Sequence, residues 1–137
     1  MKQKENFKEN FNQYLMKEHG YKYRLVRINA IRTTVSAYRK KFDIYLRFPS
    51  EKYKTWNNET LIIARMYFTK TRVGHGTSLL KFLVEQSALY EYKYIGLEMT
   101  NDDSAAFAKK FKFKPFNGKD WRVNIEDLRN FFKNIEL

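Results

Sequence analysis

The segment that most constrains the fold is residues 59–99, where an apolar strand, a glycine turn, a helix and a second apolar strand follow one another. Residues 59–68 are apolar on both faces, as in a central strand. Gly74 and Gly76 lie in the turn, and leucines then recur at helical spacing over 77–91. A strand–helix–strand unit of this kind requires parallel pairing and a right-handed crossover.

The same turn has the features of an anion-binding site. Glycine lets the backbone approach a ligand closely, and the free amides and dipole at a helix N-terminus favour negative charge. Lys70 and Arg72 add cations beside the turn. Two glycines alone are equally compatible with a tight turn that holds no ligand.

Periodicity predicts the remaining elements. Apolar residues at helical spacing indicate helices, and alternating or β-branched runs indicate strands. The predicted helices are 5–18, 102–111 and 125–136, and the predicted strands are 22–30, 32–38, 41–48, 112–115 and 120–124. Antiparallel strands leading into a parallel unit predict an α/β (α+β) fold, with a twisted mixed β-sheet flanked by helices.

Composition narrows the class of protein. A length of 137 residues favours a single domain, 1–137, and a hydrophobic fraction of 43% indicates a packed core. The absence of cysteine excludes a disulfide framework, and the two histidines, distant in sequence, give poor support for a metal site. No apolar run could span a membrane, and the first residues lack the apolar part of a signal peptide, so we expect a cytoplasmic protein.

The net charge of +12 is concentrated at the start of the chain. Residues 1–58 hold 14 Lys and Arg against 5 Asp and Glu, giving +9. Such a field attracts polyanions, although it also serves solubility. Residues 22–47 therefore predict a nucleic-acid contact, and the aromatic residues interleaved with or near them would suit base stacking: Tyr21, Tyr23, Tyr38, Tyr45 and an exposed Trp56.

Two motifs occur in a recognisable order. Residues 71–76 read Thr-Arg-Val-Gly-His-Gly, and residues 101–113 begin with Asn and contain Lys110 and Phe113 in register. Together they resemble the pyrophosphate loop and the following motif of the GNAT superfamily of acyl-CoA N-acyltransferases, over about residues 59–124. The resemblance implies a GNAT-like fold with acetyl-CoA as co-substrate.

It also implies roles for individual residues. Backbone amides of the glycine turn would hold the pyrophosphate, Met66 and Tyr67 would bind the pantetheine arm like an added strand, and Asn101 would contact that arm or the backbone beside it. Lys109 or Lys110 would lie near the nucleotide. The turn residues implied in cofactor binding are Arg72, Val73, Gly74, His75, Gly76 and Thr77.

The chain departs from the family pattern in three ways. Ala108 stands where the family often has a tyrosine general acid. Lys112 replaces a glycine, which is tolerable if its φ stays negative. The usual two-helix segment is replaced by the single helix 5–18, so the acceptor site is either unusually open or completed by a second subunit, as in a homodimer.

The residues and the resemblance together predict an N-acetyltransferase that transfers the acetyl group of acetyl-CoA to a primary amine. Glu98 and His75 are the candidate bases, and Glu98 is the better of the two; the competing interpretation of Glu98 is a solvated carboxylate at a strand end or a salt-bridge partner. The basic N-terminal half favours an acidic or nucleic-acid-linked acceptor. Two alternatives stay open: a non-catalytic nucleic-acid-binding module on a degenerate acetyltransferase scaffold, and a CoA-binding regulator without turnover.

Overall fold

The computed structural model describes residues 2–50, 56, 59–98 and 102–135. These residues form a seven-stranded mixed sheet in the order β1-β2-β3-β4-β5-β7-β6, with four helices. In chain order the elements are α1 (Lys2–His19), β1 (Val26–Ile28), β2 (Thr34–Arg39), β3 (Phe42–Arg47), β4 (Thr60–Phe68), α2 (His75–Tyr90), β5 (Tyr94–Leu97), α3 (Asp102–Lys110), β6 (Lys114–Phe116), β7 (Asp120–Asn124) and α4 (Ile125–Ile135).

The sequence-predicted fold class is confirmed. β4 and β5 pair in parallel and are joined through α2, whereas the other neighbouring strands pair antiparallel. The largest difference concerns residues 22–30, of which only β1 is a strand. The backbone at the start of β1 is hydrogen-bonded to a side chain. The side-chain oxygen of Asn12, in α1, accepts hydrogen bonds from the amides of Leu25 and Val26 at 2.7 and 3.2 Å.

A gap opens in the middle of the sheet. The β4–β5 ladder ends at the hydrogen bond from the Glu98 amide to the Ile63 carbonyl, 3.1 Å long. β4 continues to Phe68 along β3, and its register with β3 shifts so that Ala64 has no partner. A bulge of this kind bends a strand and increases its twist. β4 therefore leaves β5 beyond Ile63.

One face of the sheet carries the core. The buried cluster draws residues from all four helices, and its strand members lie on a single face by cross-strand register. Phe7, Leu80, Ala108 and Leu128 represent α1 to α4 in this cluster. The opposite face, here called the outer face, is exposed or half-buried at most positions of β1 to β3 and in the second half of β4, whereas Thr60 and Ile62 on it are buried. No helix within the described residues has an apolar stretch long enough to cross a membrane.

Trp56 packs on the outer face of the sheet at β5. Its indole is 5% exposed, stacks on Phe116 at 4.9 Å between centroids, and lies directly over Gly96. The sequence expectation of an exposed Trp56 is therefore wrong. A large aromatic ring can settle here because Gly96 presents no side chain.

Candidate active site

The glycine turn adopts a left-handed backbone. Gly74 has φ 90° and ψ 9° and is the N-cap of α2, and Arg72 has φ 60°. Arg72, Val73 and Gly74 are exposed, while His75, Gly76 and Thr77 are half-buried in the first turn of the helix. The six turn residues predicted from the sequence are thus contiguous on the surface, with the backbone conformation that favours glycine at position 74.

The first-turn amides of α2 have no carbonyl partner within the helix. Among the described residues, no side chain caps this terminus. At α4, by contrast, the side-chain oxygen Oδ1 of Asn124 accepts hydrogen bonds from the amides of Glu126 and Asp127 at 2.8 and 3.4 Å. The N-terminus of α2 therefore suits an anion such as a pyrophosphate better than that of α4.

A cleft of about 450 Å³ lies at the gap between β4 and β5. It contains residues of both sheet faces, so the gap joins the helix side to the outer face. The lining residues are Arg47, Ile63, Ala64, Arg65, Met66, Tyr67, Leu97, Glu98, Ser104 and Phe107. Three sequence-predicted residues, Met66, Tyr67 and Glu98, are brought together here. Met66 and Tyr67 lie on the part of β4 that β5 no longer covers.

Phe107 joins the cleft to the glycine turn. Its ring lines the cleft, and a Cβ built on Gly76 would lie 2.8 Å from the ring atom Cε2. Any larger residue at position 76 would push this ring, so Gly76 is required by the close approach of α3 to α2. The glycine turn and the cleft are therefore neighbours that meet at Phe107.

Glu98 is not isolated in the cleft. Its carboxylate forms an ion pair with the guanidinium of Arg47, and both side chains are about one-third exposed. The two residues belong to strands on either side of β4, so the pair spans the outer-face mouth of the gap. Sequence reasoning considered a salt bridge for Glu98 but did not identify Arg47, because only the strand order brings position 47 near position 98.

The surroundings of Ala108 and Lys112, two positions where the chain departs from the family motif, are clear in the structure. Ala108 is fully buried in the core, so a tyrosine there would meet packed side chains, not the cleft. Lys112 has φ 67°, so the condition given for tolerating a lysine in place of glycine, a negative φ, is not met. It follows α3 in a turn closed by a hydrogen bond from the Phe113 amide to the Ala108 carbonyl at 2.9 Å. This is the helix-end conformation that favours glycine.

Lys110, another predicted cofactor residue, is not among the residues that line the cleft. Lys110 is exposed in the last turn of α3, and its ammonium lies 5.4 Å from the Phe111 ring centroid. No described contact joins it to the glycine turn. Asn101 lies outside the described residues. Both assignments therefore stay predictions from the family resemblance.

The two histidines, distant in sequence, meet behind the turn. The ring centroids of His19 and His75 are 4.8 Å apart, and Phe68 packs against both rings. Burial, aided by His75 and by the cation of Lys41, holds the pKa of His19 below its usual 6.5. Within the described ranges, no group of three or more His, Asp or Glu is placed to bind a metal ion.

The basic residues of the N-terminal half have separate roles. Arg24 pairs with Glu9 at 2.7 Å, and Arg32 pairs with Glu5 at 2.8 Å, so both connect the β1–β2 region to α1. Arg27 is exposed on the outer face. The charge that sequence reasoning treated as one surface is therefore divided between fold-stabilising pairs and the outer face.

Comparison with known proteins supports the architecture. Neither a family sequence profile nor a curated protein sequence matches the chain. Among solved structures, a GNAT-family acetyltransferase from Staphylococcus aureus Mu50 has a TM-score of 0.53 at 13% identity, over 88% of this chain and 94% of that one. AtaTR bound with acetyl-CoA gives 0.52 at 13%, over 86% and 78%. AtaT complexed with acetyl-methionyl-tRNAfMet gives 0.50 at 14%, over 93% and 86%.

At these identities the likeness concerns the fold alone. The chain has the fold of the GNAT acetyltransferases, and the resemblance seen in its motifs is confirmed at that level.

Proposed function

We propose that the protein is an acetyl-CoA-dependent N-acetyltransferase acting on a primary amine. The observation that carries the proposal is the uncapped N-terminus of α2, connected through Phe107 to the gap between β4 and β5. A site for a nucleotide-linked thioester needs two features, which are backbone amides that bind phosphate and a cleft at the end of two parallel strands. Solved acetyltransferases with the same fold support the proposal.

The turn and β4 would hold the co-substrate. The amides of His75 to Thr77 would bind the pyrophosphate, with Arg72 beside them. Met66 and Tyr67 would present backbone groups to the pantetheine arm, as a sheet edge does to an added strand. Acetyl-CoA supplies an activated acetyl group with a thiolate as leaving group. Because a thiolate leaves readily, the chain does not require the tyrosine that Ala108 replaces.

Glu98 is the proposed proton acceptor. The amine must be neutral to attack, and a carboxylate at the gap can take its proton directly or through water. As the new C–N bond forms, the C–S bond breaks and the amine proton goes to Glu98. Arg47 holds the carboxylate at the outer-face mouth of the cleft, which is the side from which an acceptor enters.

The acceptor is proposed to be an amine carried on an acidic or nucleic-acid scaffold. The overall charge of +12 and the arginines near the cleft favour a polyanionic carrier over a free cationic amine. Neighbouring structures include one complexed with acetyl-methionyl-tRNAfMet and one bound to DNA. The second candidate, a non-catalytic nucleic-acid-binding module, is favoured by Ala108 and by the engagement of Glu98 with Arg47.

Calorimetric titration of acetyl-CoA tests the cofactor. We expect Val73→Glu to weaken binding about tenfold or more, because it adds a negative charge beside the pyrophosphate. Val73 is 60% exposed, so the change leaves the core intact. Val73→Gln is the neutral control, and Leu89→Glu places the same charge near the other end of α2. Absence of binding by the unaltered protein, or equal binding by Val73→Glu, would contradict the site.

Thiol release against a panel of amines, peptides and aminoacyl-RNAs then tests turnover. Glu98→Gln should lower the rate several-fold or more, up to the about 10²–10⁴ typical of a general base, with acetyl-CoA affinity unchanged. Glu85→Gln, on the exposed side of α2, is the matched control. If acetyl-CoA binds and nothing in the panel gives thiol release, the binding-module interpretation replaces the enzyme.

A further inference from the structure

The outer face of β1 to β4 carries tyrosines and arginines in a regular array. Cross-strand register aligns Tyr38 with Asp43 and Tyr67 in one row, and Arg27 with Ser36, Tyr45 and Arg65 in the next. Tyr38 is 73% exposed and Tyr67 is 58% exposed. Rings exposed to this extent do not contribute to the core, so they are available for contact with a ligand. The array of Arg27, Tyr38, Tyr45, Arg47, Arg65 and Tyr67 is called the Arg–Tyr face.

Two arginines of this face lie close to the same aromatic ring. The guanidinium carbon of Arg47 is 5.8 Å and that of Arg65 is 5.4 Å from the ring centroid of Tyr45. Asp43 fixes Arg65 through an ion pair of 3.0 Å. The face and its edge thus hold three arginines against two carboxylates, Asp43 and Glu98. A stacked guanidinium keeps N–H groups along its edge that can bind phosphate oxygens.

The Arg–Tyr face continues into the cleft. Arg47, Arg65 and Tyr67 belong to both, because the gap between β4 and β5 opens on this side of the sheet. A chain-like ligand lying across the strands would therefore bring one end to Glu98. A duplex presents phosphates but no free base surface, whereas single strands expose bases that stack on aromatic side chains.

We propose that the Arg–Tyr face binds single-stranded nucleic acid, with bases on Tyr38 and Tyr67 and phosphates on Arg27 and Arg65. Because Arg65 and Tyr67 also line the cleft, an amine carried on such a ligand would lie within reach of Glu98, a consequence that rests on the proposed acetyltransferase function. The nucleic-acid contact itself does not depend on acetyl-CoA. Its chemistry suits both RNA and DNA.

Fluorescence anisotropy with short labelled oligo(U), oligo(dT) and a duplex of equal length tests the face, without acetyl-CoA. Tyr38→Ala and Tyr67→Ala should each weaken single-strand binding about 5- to 150-fold, the range of one base stack. Tyr23→Ala is the matched control, because Tyr23 is 58% exposed but precedes β1. Arg27→Gln should reduce the salt slope by about 0.7, with Lys133→Gln as its control.

The results separate the alternatives. Loss of single-strand binding in the two tyrosine variants, with Tyr23→Ala unchanged, supports the face, and the ratio of oligo(U) to oligo(dT) affinity identifies the sugar preferred. Three results would overturn the proposal: no binding at low salt, equal affinity for the duplex, or binding that Tyr38→Ala and Tyr67→Ala leave unchanged. A fourth such result would be displacement of the oligonucleotide by polyglutamate to the extent that its charge alone predicts. If the face binds but thiol release fails, only the acetyltransferase function is lost.

Discussion

The packing of Trp56 on Gly96 leads to a quantitative prediction for Gly96→Ala. A Cβ at position 96 would lie 2.5, 2.7 and 2.9 Å from three carbons of the indole ring. Favourable carbon contacts lie at about 3.5–4.0 Å, so the ring must move by about 1 Å. Overpacking of this size costs about 1–3 kcal/mol, and the intrinsic preference of a strand for Ala over Gly offsets about 0.5–1 kcal/mol of that.

Complete expulsion of the ring sets the upper limit. A buried tryptophan removes about 150–250 Å² from water, worth about 4–6 kcal/mol at about 25 cal/mol per Å². A shifted ring is therefore cheaper than an expelled one, and we expect Gly96→Ala to lower the free energy of unfolding by about 0–2.5 kcal/mol. Because Gly96 is two residues before Glu98, the shift should also disturb the end of β5.

A double-mutant cycle with Trp56→Leu isolates this contact. Leucine lacks the ring atoms that the new Cβ would meet, so Gly96→Ala should cost little or become stabilising in the Trp56→Leu protein. Urea unfolding followed by far-ultraviolet circular dichroism gives the four free energies, provided that the m-values agree. Equal effects of Gly96→Ala in both backgrounds would refute the argument, as would a stabilising effect in the unaltered protein.

Two further predictions concern stability. Lys112→Gly should stabilise the fold by about 1 kcal/mol, because φ is positive at this position. Lys109→Gly, within α3, should instead destabilise it by about 1 kcal/mol. Urea unfolding of both variants tests the contrast, and a lower free energy of unfolding in Lys112→Gly would contradict it. His19 has a lowered pKa, so the unfolded chain binds more protons and stability must fall as pH decreases below about 6.5, until the folded-state pKa is passed. His19→Phe should reduce this decline between about pH 7.5 and about pH 5.5, and an unchanged slope would exclude His19 as its source.

The sequence predicted most elements because their signals are local. The alternation of residues 41–48 matches β3, and the apolar run of 59–68 matches β4 to within one residue. Residues 22–25 were wrongly predicted as strand, because their β-type composition does not reveal the buried amide of Asn12, which binds the backbone just before β1. Here one hydrogen-bonding side chain, thirteen residues before Leu25, overrides the intrinsic strand preference of the segment.

The candidate site was only partly predictable for a related reason. The glycine turn is contiguous, so its residues could be read directly from the sequence. The Arg47–Glu98 pair and the Tyr45 stack depend on strand order and on a bulge at Ala64, neither of which leaves a local signal. The left-handed φ of Lys112 also could not be predicted, because a lysine in the sequence does not indicate that conformation.

The position of the Arg47–Glu98 pair constrains any mechanism at this cleft. The pair bridges β3 and β5 over β4, across the mouth through which an acceptor would enter from the outer face. A protonated amine that arrives there competes with the guanidinium for the same carboxylate. Once Glu98 accepts the proton it loses its charge, and the attraction to Arg47 is lost with it. Proton acceptance is therefore opposed by the cost of breaking the pair, and a polyanionic carrier offsets this cost by giving Arg47 a phosphate in place of Glu98.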